Sequence, residues 1–280
     1  MSQLLRIVGV AFLAAGMTAC INVSTVIKVN LDGSGFIEET VLVRTVVMEQ
    51  FRAMVQGIAE GFGAPEPGTF ELPGLFDEAS LQTKARQYGE GVEYISGEKL
   101  QSETGEGYRA VYHFSDINLL ELDLNPSGKM GDSPLSSLGS VPKQFLTFQF
   151  QRGIPNTLVV RTPEGSPETQ SSDAWSTDGS ASLSEAAPEM LAMFQSFFRD
   201  MRIALSLDIQ GSITGTNATH RDGSEITVME LDLGELLEDP NVFSALQNAQ
   251  ITSLEDAQSL LQDIPGIKID LNDELVIQFQ

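Results

Sequence analysis

Cysteine, histidine and tryptophan are nearly missing from this chain, and each scarcity closes off a class of chemistry. One cysteine in 280 residues excludes an intramolecular disulfide, so no covalent framework staples the fold. Two histidines, His113 and His220, stand far apart, without the HExxH or paired-cysteine spacing of a zinc site. No GxSxG elbow, GxxxxGK[ST] loop or strand-borne GxGxxG occurs. The signatures of serine hydrolases, P-loop enzymes and dinucleotide-binding folds are therefore absent. Basic residues are scarce too: 16 Lys and Arg face 39 Asp and Glu, a net charge of −23. Nucleic acid and anionic membrane surfaces repel such a body, so no nucleic-acid partner is expected. No cofactor is expected either. No catalytic residue is nominated, because carboxylates this abundant fall into pairs by chance.

Long apolar runs are confined to the first twenty residues, MSQLLRIVGVAFLAAGMTAC. Arg6 precedes residues 7–15, a stretch too short for a bilayer, which takes about 20 residues to cross. It has the length of a signal-peptide core. Met17-Thr18-Ala19-Cys20 resembles the lipobox of type II signal peptides, with Met17 where Leu is preferred and two small residues before the cut. That resemblance implies cleavage before Cys20, a diacylglyceryl thioether on its sulfur and an acylated new N-terminus. Each buried methylene adds about 0.8 kcal/mol, so several acyl chains hold a protein at a membrane. Ile21 follows Cys20, in place of the Asp that often retains such proteins at the inner membrane. The expectation is an exported protein anchored by lipid in the outer membrane, on its periplasmic or surface face. The competing reading is an ordinary secretory signal and an unmodified thiol.

The rest of the chain has 41% hydrophobic residues overall to draw on and reads mainly as strands with one buried face. Residues 21–31 alternate, Asp32-Gly33-Ser34-Gly35 turns, and 36–46 return. Helical spacing follows over 47–60, then a Pro/Gly loop over 61–74 and a polar helix over 75–88. Strands at 92–101 and 108–114 flank a turn at 103–107. In the second of these Tyr108, Ala110, Tyr112 and Phe114 share a face, opposite Arg109, Val111 and His113. A hairpin is predicted from 145–151 and 157–161, and a Ser/Thr-rich acidic loop over 162–182. A helix at 184–199, a clear strand at 203–209 and strands at 212–219 and 225–233, joined at 221–224, come next. Short helices at 241–249 and 253–262 lead to a final hairpin of 267–270 and 274–279. Hairpins interrupted by helices predict an α+β class, with largely antiparallel sheets and helices packed on one face. The expected organisation is a signal at 1–19, an N-terminal lobe at 20–163, the acidic loop at 164–183 and a C-terminal lobe at 184–280. The lobes merge into one domain if the first hairpin pairs with C-terminal strands.

Two segments invite a functional reading. Asn30, Asp32 and Ser34 match the front half of an EF-hand loop, with Gly35 at the sixth position. Position twelve, where calcium needs a bidentate Glu, is Val41, and both flanks read as strands. Glu38 and Glu39 alternate and so point to opposite faces. A tight turn is the expectation, and no metal is assigned. In the helix at 184–199, Met190, Leu191, Met193, Phe194, Phe197 and Phe198 make an apolar surface wider than one-sided burial needs. Met and Phe suit an adaptable wall for acyl chains or a partner protein; a helix wedged between sheet and loops fits as well. Trp175, in the acidic loop, either tacks that loop down or stands exposed as a contact.

The lipobox, the strand–DGSG–strand opening and the segment ITGTNATHRDGSEITVMELD (213–232) together resemble LppM-type bacterial lipoproteins. The chain departs from that type in lacking a C-terminal membrane helix and a Trp in the strand after Gly223. The resemblance implies an α+β ectodomain of unassigned role and transfers no catalytic residue. Three functions stay open. The first is an envelope module that binds a protein partner or acts as a scaffold without catalysis. The second is a carrier or sensor of an amphipathic or lipid ligand, and the third a carboxylate-dependent hydrolase.

Overall fold

The period-two pattern after Cys20 becomes β1 (Ile21–Val29), whose odd residues are all buried. The structure is a computed structural model and describes residues 21–46, 48–49, 76–102, 105–123, 145–161, 201–238, 264–270 and 272–280. β2 (Gly35–Arg44) returns antiparallel, with Ile21 opposite Val43 and Val29 opposite Gly35. Helix α1 (Glu78–Lys84) starts where the Asp77 carboxylate accepts from the Ser80 amide, an N-cap, and runs on as a 3-10 turn, Ala85–Tyr88. β3 (Glu93–Gln101) and β4 (Gly105–Phe114) follow, with β4 lying between β2 and β3. The expected turn at 103–107 is shorter than predicted, because Gly105 and Gly107 belong to β4. A Cβ on Gly107 would stand 1.9 Å from the Val41 carbonyl oxygen, so this glycine permits close strand approach rather than a turn.

The chain then builds a second sheet. A 3-10 turn at Ile117–Leu119 leads into β5 (Glu121–Asp123), β6 (Phe145–Gln151) and β7 (Asn156–Arg161). β8 (Met201–Ile209) lies parallel to β1, Met201 opposite Ile21, and makes the large sheet mixed. The remaining elements are β9 (Ile213–Thr216), β10 (Arg221–Asp222), β11 (Glu225–Asp232), α2 (Leu233–Glu238), β12 (Ile267–Ile269) and β13 (Glu274–Phe279). The eight-stranded sheet has the order β10-β11-β8-β1-β2-β4-β3, with β12 also paired to β11. The five-stranded antiparallel sheet has the order β5-β6-β7-β13-β9. The class is α+β and dominated by sheet, and each sheet draws strands from both 21–161 and 201–279.

Two predicted hairpins are divided between the sheets. β9 pairs with β13 while β11 pairs with β8, so 212–219 and 225–233 are not partners. Asp222-Gly223 instead turns the two-residue β10 onto β11. The last two strands also part: β12 joins β11 and β13 joins β7 and β9. The reason is burial. Leu275, Ile277 and Phe279 need a cover on one face, and as an inner strand of the small sheet β13 turns them onto the core shared with the large one. Ile27, Ile37 and Phe114 of the large sheet share one apolar core with Leu122, Leu146, Leu158 and Phe279 of the small one. The small sheet's strands and their connections meet the β1–β2 turn. There the Ile117 amide donates to the Gly33 carbonyl at 2.9 Å and Asn156 Nδ2 to the Leu31 carbonyl at 3.0 Å. Among the described residues no helix is long and apolar enough to cross a membrane. The helices expected at 184–199, 241–249 and 253–262, most of that at 47–60, and the loops at 61–74 and 162–182 lie outside the described residues.

Candidate functional site

On β2 the buried odd positions read Gly35, Ile37, Glu39, Val41 and Val43, so a carboxylate occupies a place built for an apolar side chain. Glu39 is fully buried. An isolated carboxylate there would cost several kcal/mol, so its partners decide whether the fold tolerates it. They come from two other elements. Lys84 Nζ, at the end of α1, donates to Oε1 at 2.7 Å, and Tyr108 OH on β4 donates to the same oxygen at 2.5 Å. Tyr88 OH, four residues beyond Lys84 in the 3-10 turn, donates to Oε2. Tyr108 stands on β4 beside β2, close to its register partner Val41. Lys84 at the end of α1 and Tyr88 at the end of the 3-10 turn thus both reach Glu39.

Burial by itself pushes the Glu39 carboxyl up. The Lys84 charge and the hydrogen bonds from Lys84, Tyr108 and Tyr88 outweigh that and hold it below its ordinary value. The same burial, together with the Glu39 charge, drives both Tyr88 and Tyr108 far above the usual phenol range. The two phenols therefore stay protonated and donate. Tyr112, on the same face, meets Tyr88 tilted at 5.0 Å and Tyr94 edge-on at 5.9 Å between ring centroids. Its buried hydroxyl has no hydrogen-bond partner among the described residues. The arrangement clasps α1 and the 3-10 turn to the sheet, with neither Glu39 oxygen open to solvent. Glu38, one residue earlier, lies on the other face and takes Lys28 at 2.6 Å and Arg109 at 2.7 Å.

Behind the clasp runs an open groove of about 660 Å³, between the end of the 3-10 turn and the start of β5. Arg86, Glu90, Asn118, Leu119 and Glu121 line it, with Gly89 at the bridge to Leu120. Its lining mixes both signs of charge with one exposed leucine, Leu119.

The candidates named from sequence fall as follows. Asn30, Asp32 and Ser34 come together in the β1–β2 turn. Asp32 Oδ1 accepts from the Ser34 amide at 3.1 Å and from Ser34 Oγ at 2.7 Å, and Asn30 Nδ2 donates to Ser34 Oγ at 3.0 Å. Their polar atoms thus serve the turn itself, an Asx arrangement. Gly33 takes φ +87°, and a Cβ there would meet the Phe150 ring at 2.5 Å. His113 contacts Phe36 edge-on at 5.3 Å. Among the described residues no three His, Cys, Asp or Glu side chains gather as a metal site would require. Cys20, Trp175, Met190, Met193, Phe194, Phe197 and Phe198 lie outside the described residues. Ile21 follows Cys20, Met201 follows the Met/Phe segment by three residues, and Ile21 and Met201 are register partners.

Glu39 was missed as a site by reading the sequence. The available signal was a lone carboxylate in phase with Ile37 and Val41, but nothing local says that Lys84 and Tyr88 come to meet it.

No protein-family model matches this chain, and no curated protein matches it. Among solved structures, it is similar to the NMR structure of the folded domain of Mycobacterium tuberculosis LppM. The identity is 10%, the TM-score 0.34, and the match covers 94% of this chain and 90% of that one. No residue role is taken from it.

Proposed function

We propose that this protein is a lipid-anchored envelope protein, held at the outer membrane through Cys20, whose sheet body is a non-enzymatic binding or scaffold module. The observation that carries the reading is the junction at residue 20. The lipobox-like Met17-Thr18-Ala19-Cys20 ends where β1 begins, so a cut before Cys20 removes none of the described elements. The closed Glu39 clasp supports the non-enzymatic half, because this buried carboxylate is occupied by its own partners. The test is the Cys20→Ser variant followed through membrane fractionation, with intact mass measured on the wild-type protein. A diacylglyceryl mass on Cys20 and release of the variant from the membrane are expected. An unprocessed soluble precursor, or a variant still bound, overturns the anchor. Recovery of the native protein with its co-purifying molecules separates the binding module from the carrier: one stoichiometric protein supports the former, enrichment of one lipid class the latter.

A further inference from the structure

Cys20 adjoins Ile21, so no linker separates the proposed anchor from the fold. Ile21 is buried and held on both sides, opposite Val43 on β2 and Met201 on β8, inside the large sheet. Consecutive Cα atoms lie about 3.8 Å apart, so the strand end cannot drift more than one residue's reach from residue 20. A tether of many residues would let the body tumble above a surface. This one does not.

We infer that the rim of the large sheet where β1 begins, β2 ends and β8 begins, with Val46 exposed beside it, faces the lipid leaflet that takes up the Cys20 acyl chains. The strands then lead away from that leaflet. This rests on the proposed lipidation of Cys20 and adds an orientation to it. Val46, two residues beyond β2 at that rim, is a large apolar side chain left 47% exposed. At the other end of β1, about 26 Å away at roughly 3.3 Å per residue, stand the Asp32 turn and the β6–β7 connection. Arg152 Nη2 donates to the Asp32 carbonyl there at 3.1 Å, and Ile154 is 97% exposed. The anchor assigns one end of a central strand to the lipid and the other to the solvent.

A lipidated Cys20 leaves the chain with no other thiol, so a single introduced cysteine takes a fluorophore alone. Full-length protein, purified from membranes and labelled at Val46→Cys or Ile154→Cys, is placed in phosphatidylcholine vesicles that carry a headgroup quencher. Quenching at position 46 and none at 154 is expected. A second variant inserts a Gly/Ser linker of about twelve residues between Cys20 and Ile21, with an end-to-end distance of about 19 Å. It should lose the quenching at position 46 and still float with the vesicles. With acylated Cys20 confirmed by mass, equal quenching at both positions, or a linker without effect, overturns the orientation alone. A Cys20 without acyl mass overturns the orientation and the anchor together.

Discussion

Replacing Glu39 by Gln keeps the shape of the side chain and removes only its charge. Lys84, whose side chain is 15% exposed, is then left as a mostly buried cation without its counterion. The amide also offers one acceptor oxygen where the carboxylate offered two, to three converging donors. Breaking a buried pair from one side costs about 3–5 kcal/mol. With a urea m-value of about 3 kcal/mol per molar, that lowers the unfolding midpoint by about 1 M or more. Glu38 is the internal control: it is the same residue type on the same strand, but partly exposed. Glu38→Gln should cost at most about 1 kcal/mol. Replacing the whole buried cluster, Glu39→Leu and Lys84→Met together with Tyr88→Phe and Tyr108→Phe, should recover most of the loss, because apolar groups often replace a buried ion pair at little cost once no donor is left unpaired. The pH dependence carries the same signature. The folded Glu39 carboxyl lies below its ordinary value of 4.5. Between the two values the unfolded chain binds more protons, so stability rises with pH across that window. Its contribution is full above about pH 4.5 and is lost as pH falls through the folded value; the Glu39→Gln protein should lack that part of the acid limb. Urea titrations followed by circular dichroism at several pH values read all of this. Equal costs for Glu38→Gln and Glu39→Gln, or no cost for either, would refute the clasp.

The tyrosines around the clasp should separate by their partners. Tyr88→Phe removes a charge-assisted hydrogen bond to Glu39 and should cost about 1.5–3 kcal/mol, whereas Tyr112→Phe removes a buried hydroxyl that has no partner among the described residues and should be neutral or slightly stabilising. Denaturant midpoints of the two variants check it, and the opposite ranking would count against the arrangement. Gly35→Ala places a Cβ 1.9 Å from the Lys28 carbonyl oxygen and 2.5 Å from the Phe114 ring, so a loss of about 3 kcal/mol is expected. Gly223→Ala, with φ +62° and open space around it, should cost only about 1 kcal/mol for its left-handed backbone; thermal melts compare the two. Calcium should leave the melting temperature where a chelator leaves it, since Asp32 and Ser34 are engaged with each other; a calcium-dependent rise would show the turn to be a binding loop.

Local pattern made much of this fold readable. The alternation over 21–31 announced which side chains of β1 are buried. The adjacency of Glu38 and Glu39 announced that they part to opposite faces, because successive Cβ atoms of a strand alternate. Tyr108, Ala110, Tyr112 and Phe114 shared a face in the sequence and share the buried one in the fold. At Gly105 and Gly107 the same reasoning stopped short. Glycine marks a turn or a close approach of backbones, and the residue alone does not say which.

What the sequence determined by itself is periodicity: strands, their inward faces, the Asp-Gly turns and the lipobox-like junction at residue 20. These depend on neighbours a few positions apart, and such spacing is written in the chain. Only tertiary structure decided the partners. It set β8 parallel to β1, sent β12 and β13 to different sheets, and brought Lys84 and Tyr88 across more than forty residues to Glu39. A strand's two edges offer the same amides and carbonyls whatever its side chains. Which edge meets which is therefore settled by how the whole set of apolar faces closes on one core, and no local window contains that sum.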